Sequence, residues 1–181
     1  MGGGEGSSER SASGLMSRIH KFSLVYDADE DRLALDTEDL EGVTTRLWLT
    51  QRLCRGLVGA LLPMLQANAL QRVAPEHLAT LQSWEQAAAM AEFGKIPPVK
   101  PQAESTAGLV KAVHIQPSDD GLVLTFDFGA DEHRVIGLAQ AEVRQTLTVM
   151  HGLQKAAAWP LDLWPAWITD PAAPAPAKAV N

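Results

Sequence analysis

The sequence has almost none of the residues that build disulfides or zinc sites. Its one cysteine, Cys54, excludes an intramolecular disulfide and any metal cluster held by several thiolates. No two of its five histidines have the H-x-H or H-x-x-x-H spacing that brings two imidazoles to one metal ion. We therefore expect no bound metal.

The sequence also lacks a long apolar run and a surplus of positive charge. Its longest apolar stretch, LVGALLPML from Leu57 to Leu65, is too short to span a bilayer and contains a proline. The N-terminus has no basic-then-apolar layout of a signal peptide. The net charge of −7 disfavours nucleic acid and anionic membranes as partners. These features predict an acidic cytoplasmic protein.

Common catalytic motifs are missing as well. No serine lies in a G-x-S-x-G turn, and the glycines of GGGEGS follow no predicted strand, so they do not form a phosphate loop. Cys54 falls within an apolar stripe, where a thiol is shielded from substrates. We predict neither a catalytic residue nor a cofactor.

The composition is that of a globular chain with two tails. Of its residues, 46% are apolar and 20% are charged. Residues 1–16 are rich in glycine and serine and residues 169–181 in alanine and proline, so both segments are predicted to be disordered. Met16 is a candidate for the functional start.

One pattern occurs twice between the tails. Its two copies align without a gap, each pair of positions being separated by 89 residues as in 122 − 33, for Leu33 and Leu122, Leu35 and Leu124, Leu47 and Ile136, Leu49 and Leu138, and Gln51 and Gln140. The shared register favours an internal duplication over a chance alignment of amphipathic elements.

Each copy is typical of three strands followed by a helix. We therefore predict an α+β fold of two tandem βββα units, each an antiparallel sheet with a helix packed on one face. The units span residues 17–74 and 109–168. A connecting helix and a proline-rich strap join them across residues 75–108.

The helices have clear signals of their own. Thr50 is a good N-cap for the first helix, whose apolar side chains repeat at i, i+4 from Leu53 to Leu65. Gly56 and Gly59 lie beside this stripe and would permit the close approach of another backbone. In the connecting helix, the apolar side chains predicted to pack are Leu78, Leu81, Trp84 and Ala88.

The stretch YDADEDRLALDTE has acidic residues at positions 1, 3, 5 and 12 of a calcium-loop window that starts at Asp27. A calcium loop needs glycine at its sixth position, where this chain has Arg32, and the flanking segments have strand patterns. We interpret the stretch as an acidic hairpin turn.

Three of the five tryptophans, Trp159, Trp164 and Trp167, lie in AAWPLDLWPAWI after the second helix. Tryptophan is enriched at binding hot spots, which makes these three candidates for protein interaction, together with Leu57 and Leu61 of the first helix. The alternative is that this segment covers the sheet of its own chain.

Two classes of function follow. The first is a non-catalytic protein-binding or assembly module, adaptor-like or chaperone-like, that forms a homodimer. The alternative is an enzyme or small-molecule binder with a site in the cleft between the two halves. Candidate groups for that cleft are His114, His133, Arg46 and Arg134, which lie in predicted strands.

Overall fold

A computed structural model describes residues 15–94, 97–102, 105–129 and 131–170. The strands are β1 (Leu15–Asp27), β2 (Arg32–Asp39), β3 (Thr44–Leu49), β4 (Thr106–Leu109), β5 (Ala112–Ser118), β6 (Gly121–Asp127) and β7 (Glu132–Ala139). The helices are α1 (Gln51–Leu70), α2 (Leu78–Ala91), α3 (Gln140–Ala156) and α4 (Ala166–Thr169), and a 3-10 turn (Pro75–His77) precedes α2. Most of the two predicted disordered tails lies outside the described residues.

All seven strands form one curled sheet in the order β4-β3-β2-β1-β7-β6-β5. The long strand β1 is antiparallel to β2, and its first four residues run parallel to β7. Strand β4 runs parallel to β3. The predicted α+β class is confirmed. The expectation of a separate antiparallel sheet for each unit is wrong. Strand β1 of the first half pairs with β7 of the second, and β4, which leads into the second half, pairs with β3 of the first.

Strand β4 was not predicted, since its four residues, TAGL, have no alternating apolar pattern. It leads directly into β5: the Val110 N–H donates to the carbonyl of Trp48 at 3.0 Å, and the Lys111 N–H donates to that of Asp127 at 2.8 Å. The chain therefore passes from the edge of β3 to the edge of β6 within two residues, which is possible because the sheet curls.

The two halves repeat their hairpin register. Leu33 pairs with Leu49, and Leu122 pairs with Leu138, so both partners move by 89 positions, as in 122 − 33 and 138 − 49. Helices α1 and α3 begin at positions with the same offset, Gln51 and Gln140. The turn between β1 and β2 has four residues and that between β5 and β6 has two, so β1 and β5 are offset by 91 positions, as in 118 − 27.

Helix α1 forms much of the core as its stripe predicted. Cys54, Val58 and Leu61 are almost fully buried, and the hydroxyl of Thr50 accepts a hydrogen bond from the Leu53 N–H at 3.2 Å. By length and composition alone α1 would suffice to cross a membrane, because it has 20 residues and a mean hydropathy of 1.3 in its most apolar window. Its apolar stripe packs against the sheet, as in the core helix of a soluble domain.

Helix α2 packs with a different face from the predicted one. Its buried residues are Gln82, Gln86 and Ala89, whereas Trp84 is 53% exposed. The glutamines are buried because they find partners: Gln82 donates to the carbonyl of Leu65, and Gln86 donates to the hydroxyl of Thr148 at 2.7 Å. Of the four apolar residues predicted on one side of this helix, Leu78 and Leu81 are half-buried, whereas Trp84 and Ala88 are exposed.

Candidate functional site

The residues predicted for protein interaction lie in the protein's own core. Trp159 and Trp164 are 6% and 8% exposed, and Leu57 and Leu61 are buried on the packed face of α1. Trp167 is partly buried, and the guanidinium of Arg144 lies 5.1 Å from the centre of its ring. These side chains hold the fold together and present little surface to a partner.

The tryptophan segment is fixed by polar contacts as well as by packing. The indole N–H of Trp159 donates to Asp31 in the acidic turn at 3.0 Å, and the hydroxyl of Tyr26 donates to the same carboxylate oxygen. Asp27 accepts hydrogen bonds from two backbone N–H groups of that turn. The acidic turn thus caps its own backbone and anchors Trp159.

The four cleft candidates fall into three separate contacts. His114 and His133 both hydrogen-bond to Asp127, through ring nitrogens 2.7 and 2.6 Å from different carboxylate oxygens. Arg46 forms a bidentate ion pair with Asp36, and Arg134 donates to the hydroxyl of Thr45. No sequence pattern indicated that Asp127 would bridge the two histidines, because the contact depends on strand register.

The electrostatics of the histidine pair are simple. Burial raises the pKa of Asp127, but the hydrogen bonds from His133 and His114 outweigh it and hold that pKa below its usual value.

Among the described residues, no group of three His, Cys, Asp or Glu side chains has the geometry to hold a metal ion. Burial also raises the pKa of the Cys54 thiol to about 12, so it is not a nucleophile at neutral pH.

One space between the two halves is an apolar cavity of about 30 Å³. Side chains of α1, of α3 and of strands from both halves line it, including Leu35, Leu61, Leu124 and Met150. A cavity with such walls stays dry and gives a polar substrate nothing to bind. This cavity therefore does not supply the polar cleft that the alternative function requires.

A larger opening between the two halves separates the first half of α1 from β4 and β5. This α1 groove has a volume of about 550 Å³ and is lined by Thr50, Arg52, Leu53, Gly56, Leu57, Ala60, Leu109, Val110, Lys111, Val113 and Ile115. The sequence contained one hint of it: Gly56 and Ala60 are small residues beside the large ones of the stripe. A Cβ added at Gly56 would meet nothing within 4 Å.

A matching opening, the α3 groove, lies between α3 of the second half and β1 of the first. The helical positions correspond at an offset of 89, as in 142 − 53, for Leu53 and Glu142, Gly56 and Gln145, Leu57 and Thr146, and Ala60 and Val149. The strand positions correspond at the offset of 91, as in 113 − 22, for Val113 and Phe22 and for Ile115 and Leu24. The two grooves therefore occupy equivalent places, each between a helix of one half and a strand of the other.

The two grooves differ in what covers them. Part of the proline-rich strap that follows α2 lines the α3 groove. Phe93, Gly94, Pro97 and Pro98 border its open space of about 270 Å³. Val99 of the strap is 4% exposed, and its carbonyl lies 3.5 Å from the hydroxyl of Ser23 in β1. No segment among the described residues lies along the α1 groove in the same way.

Comparisons with known proteins add no further sign of function. No protein-family model matches the chain, and no significant match occurs among the curated proteins or the solved structures.

Proposed function

We propose that this chain is a non-catalytic protein-binding module whose α1 groove binds an extended segment of a partner protein. The observation that carries the proposal is the strap in the α3 groove. Phe93, Gly94, Pro97 and Pro98 of the chain itself lie along one groove, while the equivalent α1 groove is open among the described residues. A surface of the same construction suits an occupant of the same kind.

The walls of the α1 groove support this proposal. Its volume of about 550 Å³ lies within the usual range of ligand sites, about 300–1,000 Å³. Leu53, Val113 and Ile115 are only partly buried there, and Leu109 is 42% exposed. Binding an extended segment would remove this apolar surface from water, the main favourable term in association.

A selection from a displayed library of random peptides tests the proposal. We expect Gly56→Trp, which fills the groove, to abolish enrichment, and Gly59→Trp to leave it unchanged. Gly59 is the matched control because it is exposed on the same helix, has open space for a side chain and does not line the groove. Enrichment of the same peptides by all three proteins, or by none, would contradict the proposal.

The expected duplication fits this function and is proposed with it. Three findings support it: the shared hairpin register, the equivalent grooves, and the hydrogen bond between Arg134 and Thr45. The last two residues are 89 positions apart, and equivalent residues meet in this way at a two-fold axis. In an experimental structure, residues 20–65 and 110–154 should superimpose strand for strand, and a helix on the opposite side of its sheet would contradict the duplication.

The proposed partner is a different protein. The homodimer predicted from the sequence relied on the α1 stripe and the tryptophan segment, and these are largely buried. Self-association would have to use other apolar groups, such as Trp84, which is 53% exposed. Formation of a homodimer is one of the outcomes that a binding test distinguishes.

A further inference from the structure

We infer that the segment bound by the α1 groove contains proline and carries carboxylates beside its apolar side chains. This inference rests on the proposed function and identifies the chemistry of the partner. Two independent features of the molecule support it: the residues of the strap that lie along the α3 groove, and the charges that line each groove.

The proline preference follows from the strap. Pro97 and Pro98 line the α3 groove, and Val99 directly after them is buried. Proline fixes the backbone in an extended form, so a proline-containing segment loses less conformational freedom when it binds. The described strap residues form no backbone hydrogen bonds with β1, so the missing N–H of proline costs nothing here.

The carboxylate preference follows from a reversal of charge between the grooves. The α3 groove is lined by one acidic residue, Glu142, and by no basic one. The α1 groove is lined instead by Arg52 and Lys111, both exposed, and by no acidic residue. Neither cation belongs to an ion pair with any residue that the structure describes. An occupant of the α1 groove therefore meets two free positive charges, in a chain whose net charge is −7.

The probes are synthetic peptides based on the strap. The acidic peptide has the sequence of residues 92–101 with Lys95→Glu and Lys100→Glu, the basic peptide keeps both lysines, and a third is the acidic peptide with its three prolines, Pro97, Pro98 and Pro101, replaced by alanine. Calorimetric titration into the full chain at low salt should show that the acidic peptide binds about ten-fold more tightly than the basic one, as expected for two exposed ion pairs. The alanine peptide should bind more weakly than the acidic one.

Charge reversal of the protein provides the decisive comparison. With Arg52→Glu and Lys111→Glu together, the preference should invert and favour the basic peptide. Equal binding of the acidic and basic peptides by the wild type, or no loss on replacement of proline, would overturn the inference while binding that is sensitive to Gly56→Trp would still support the proposed function. Peptide binding that Gly56→Trp leaves intact would overturn both.

Two further outcomes identify a different occupant. If a chain ending at Asp170 binds the acidic peptide and the full chain does not, the C-terminal segment of the same chain competes for the groove, and the inference of a partner is overturned. If light scattering shows a dimer that Gly56→Trp converts to a monomer of 19.5 kDa, the occupant is a second copy. A monomeric full chain that binds the acidic peptide supports the inference.

Discussion

Two arginine–carboxylate ion pairs have the same bidentate geometry but differ in burial, and burial determines how much each contributes to stability. Arg46 reaches both carboxylate oxygens of Asp36 at 2.7 and 2.8 Å, and Arg55 reaches those of Asp162 at 2.7 Å each. The side chain of Asp36 is only 3% exposed, whereas that of Asp162 is 59% exposed. Loss of the arginine therefore leaves a buried charge unpaired in the first case and a solvated charge in the second.

We predict that Arg46→Ala lowers the free energy of unfolding by about 2 kcal/mol, the usual cost of a lost hydrogen bond to a buried charged group. The matched change Arg55→Ala should have little effect, because exposed ion pairs contribute little and are screened by salt. Urea denaturation of the three proteins at neutral pH measures both effects. Equal destabilisation by the two changes would show that the burial of Asp36 does not decide the cost.

At the level of single residues, the sequence identified core residues correctly, and of the five residues it predicted for protein interaction only Leu57 lines the α1 groove. Tryptophans in an irregular segment are compatible with a binding surface or a core, and only the contacts of Trp159 and Trp164 decide for the core. The α1 groove was missed because a groove consists of the side chains that are small or missing. Gly56 and Ala60 were visible in the sequence, but Val113 and Ile115 on the opposite wall were not yet connected to them.

Among the elements, α1, the two hairpins and the connecting helix α2 were predictable, and the packed face of α2 was not. Periodicity identifies an element that packs through apolar side chains, as in the stripe of α1 and the alternation of β6. The packed face of α2 is polar, because Gln82 and Gln86 are matched by Leu65, Thr148 and Arg144 on neighbouring helices. Such partners are distant in sequence, so no local pattern indicates them.

Helix α1 also contains a glycine, Gly59, whose replacement should stabilise the protein. Gly59 is exposed in the middle of the helix, and a Cβ added there would meet nothing within 4 Å. Glycine costs a helix about 0.8–1.0 kcal/mol relative to alanine, so we predict that Gly59→Ala stabilises the protein by about 1 kcal/mol. Thermal unfolding with the wild type as reference measures this. A lower midpoint temperature would mean that the space above Gly59 is occupied in solution.

For the whole molecule, the decisive feature is the exchange of strands between the halves. Strand β1 of the first half pairs with β7 of the second, and β4, which leads into the second half, pairs with β3 of the first. Both halves line the central cavity, and α2 fixes itself to α3 through the buried Arg144. Separating the halves would therefore break the sheet at two places and expose the core of each.

We predict that fragments 15–94 and 97–170 do not fold alone and that an equimolar mixture restores the fold. Each fragment by itself is close to the size at which a domain is marginally stable, and each would lose parallel strand pairing and apolar contacts that the other supplies. Circular dichroism during heating should show no cooperative transition for either fragment and one transition for the mixture. A cooperative transition in a single fragment would instead support the independent βββα units of residues 17–74 and 109–168 that the sequence suggested. Recovery in the mixture would show that the shared sheet is the folding unit, because only the shared sheet requires both halves at once.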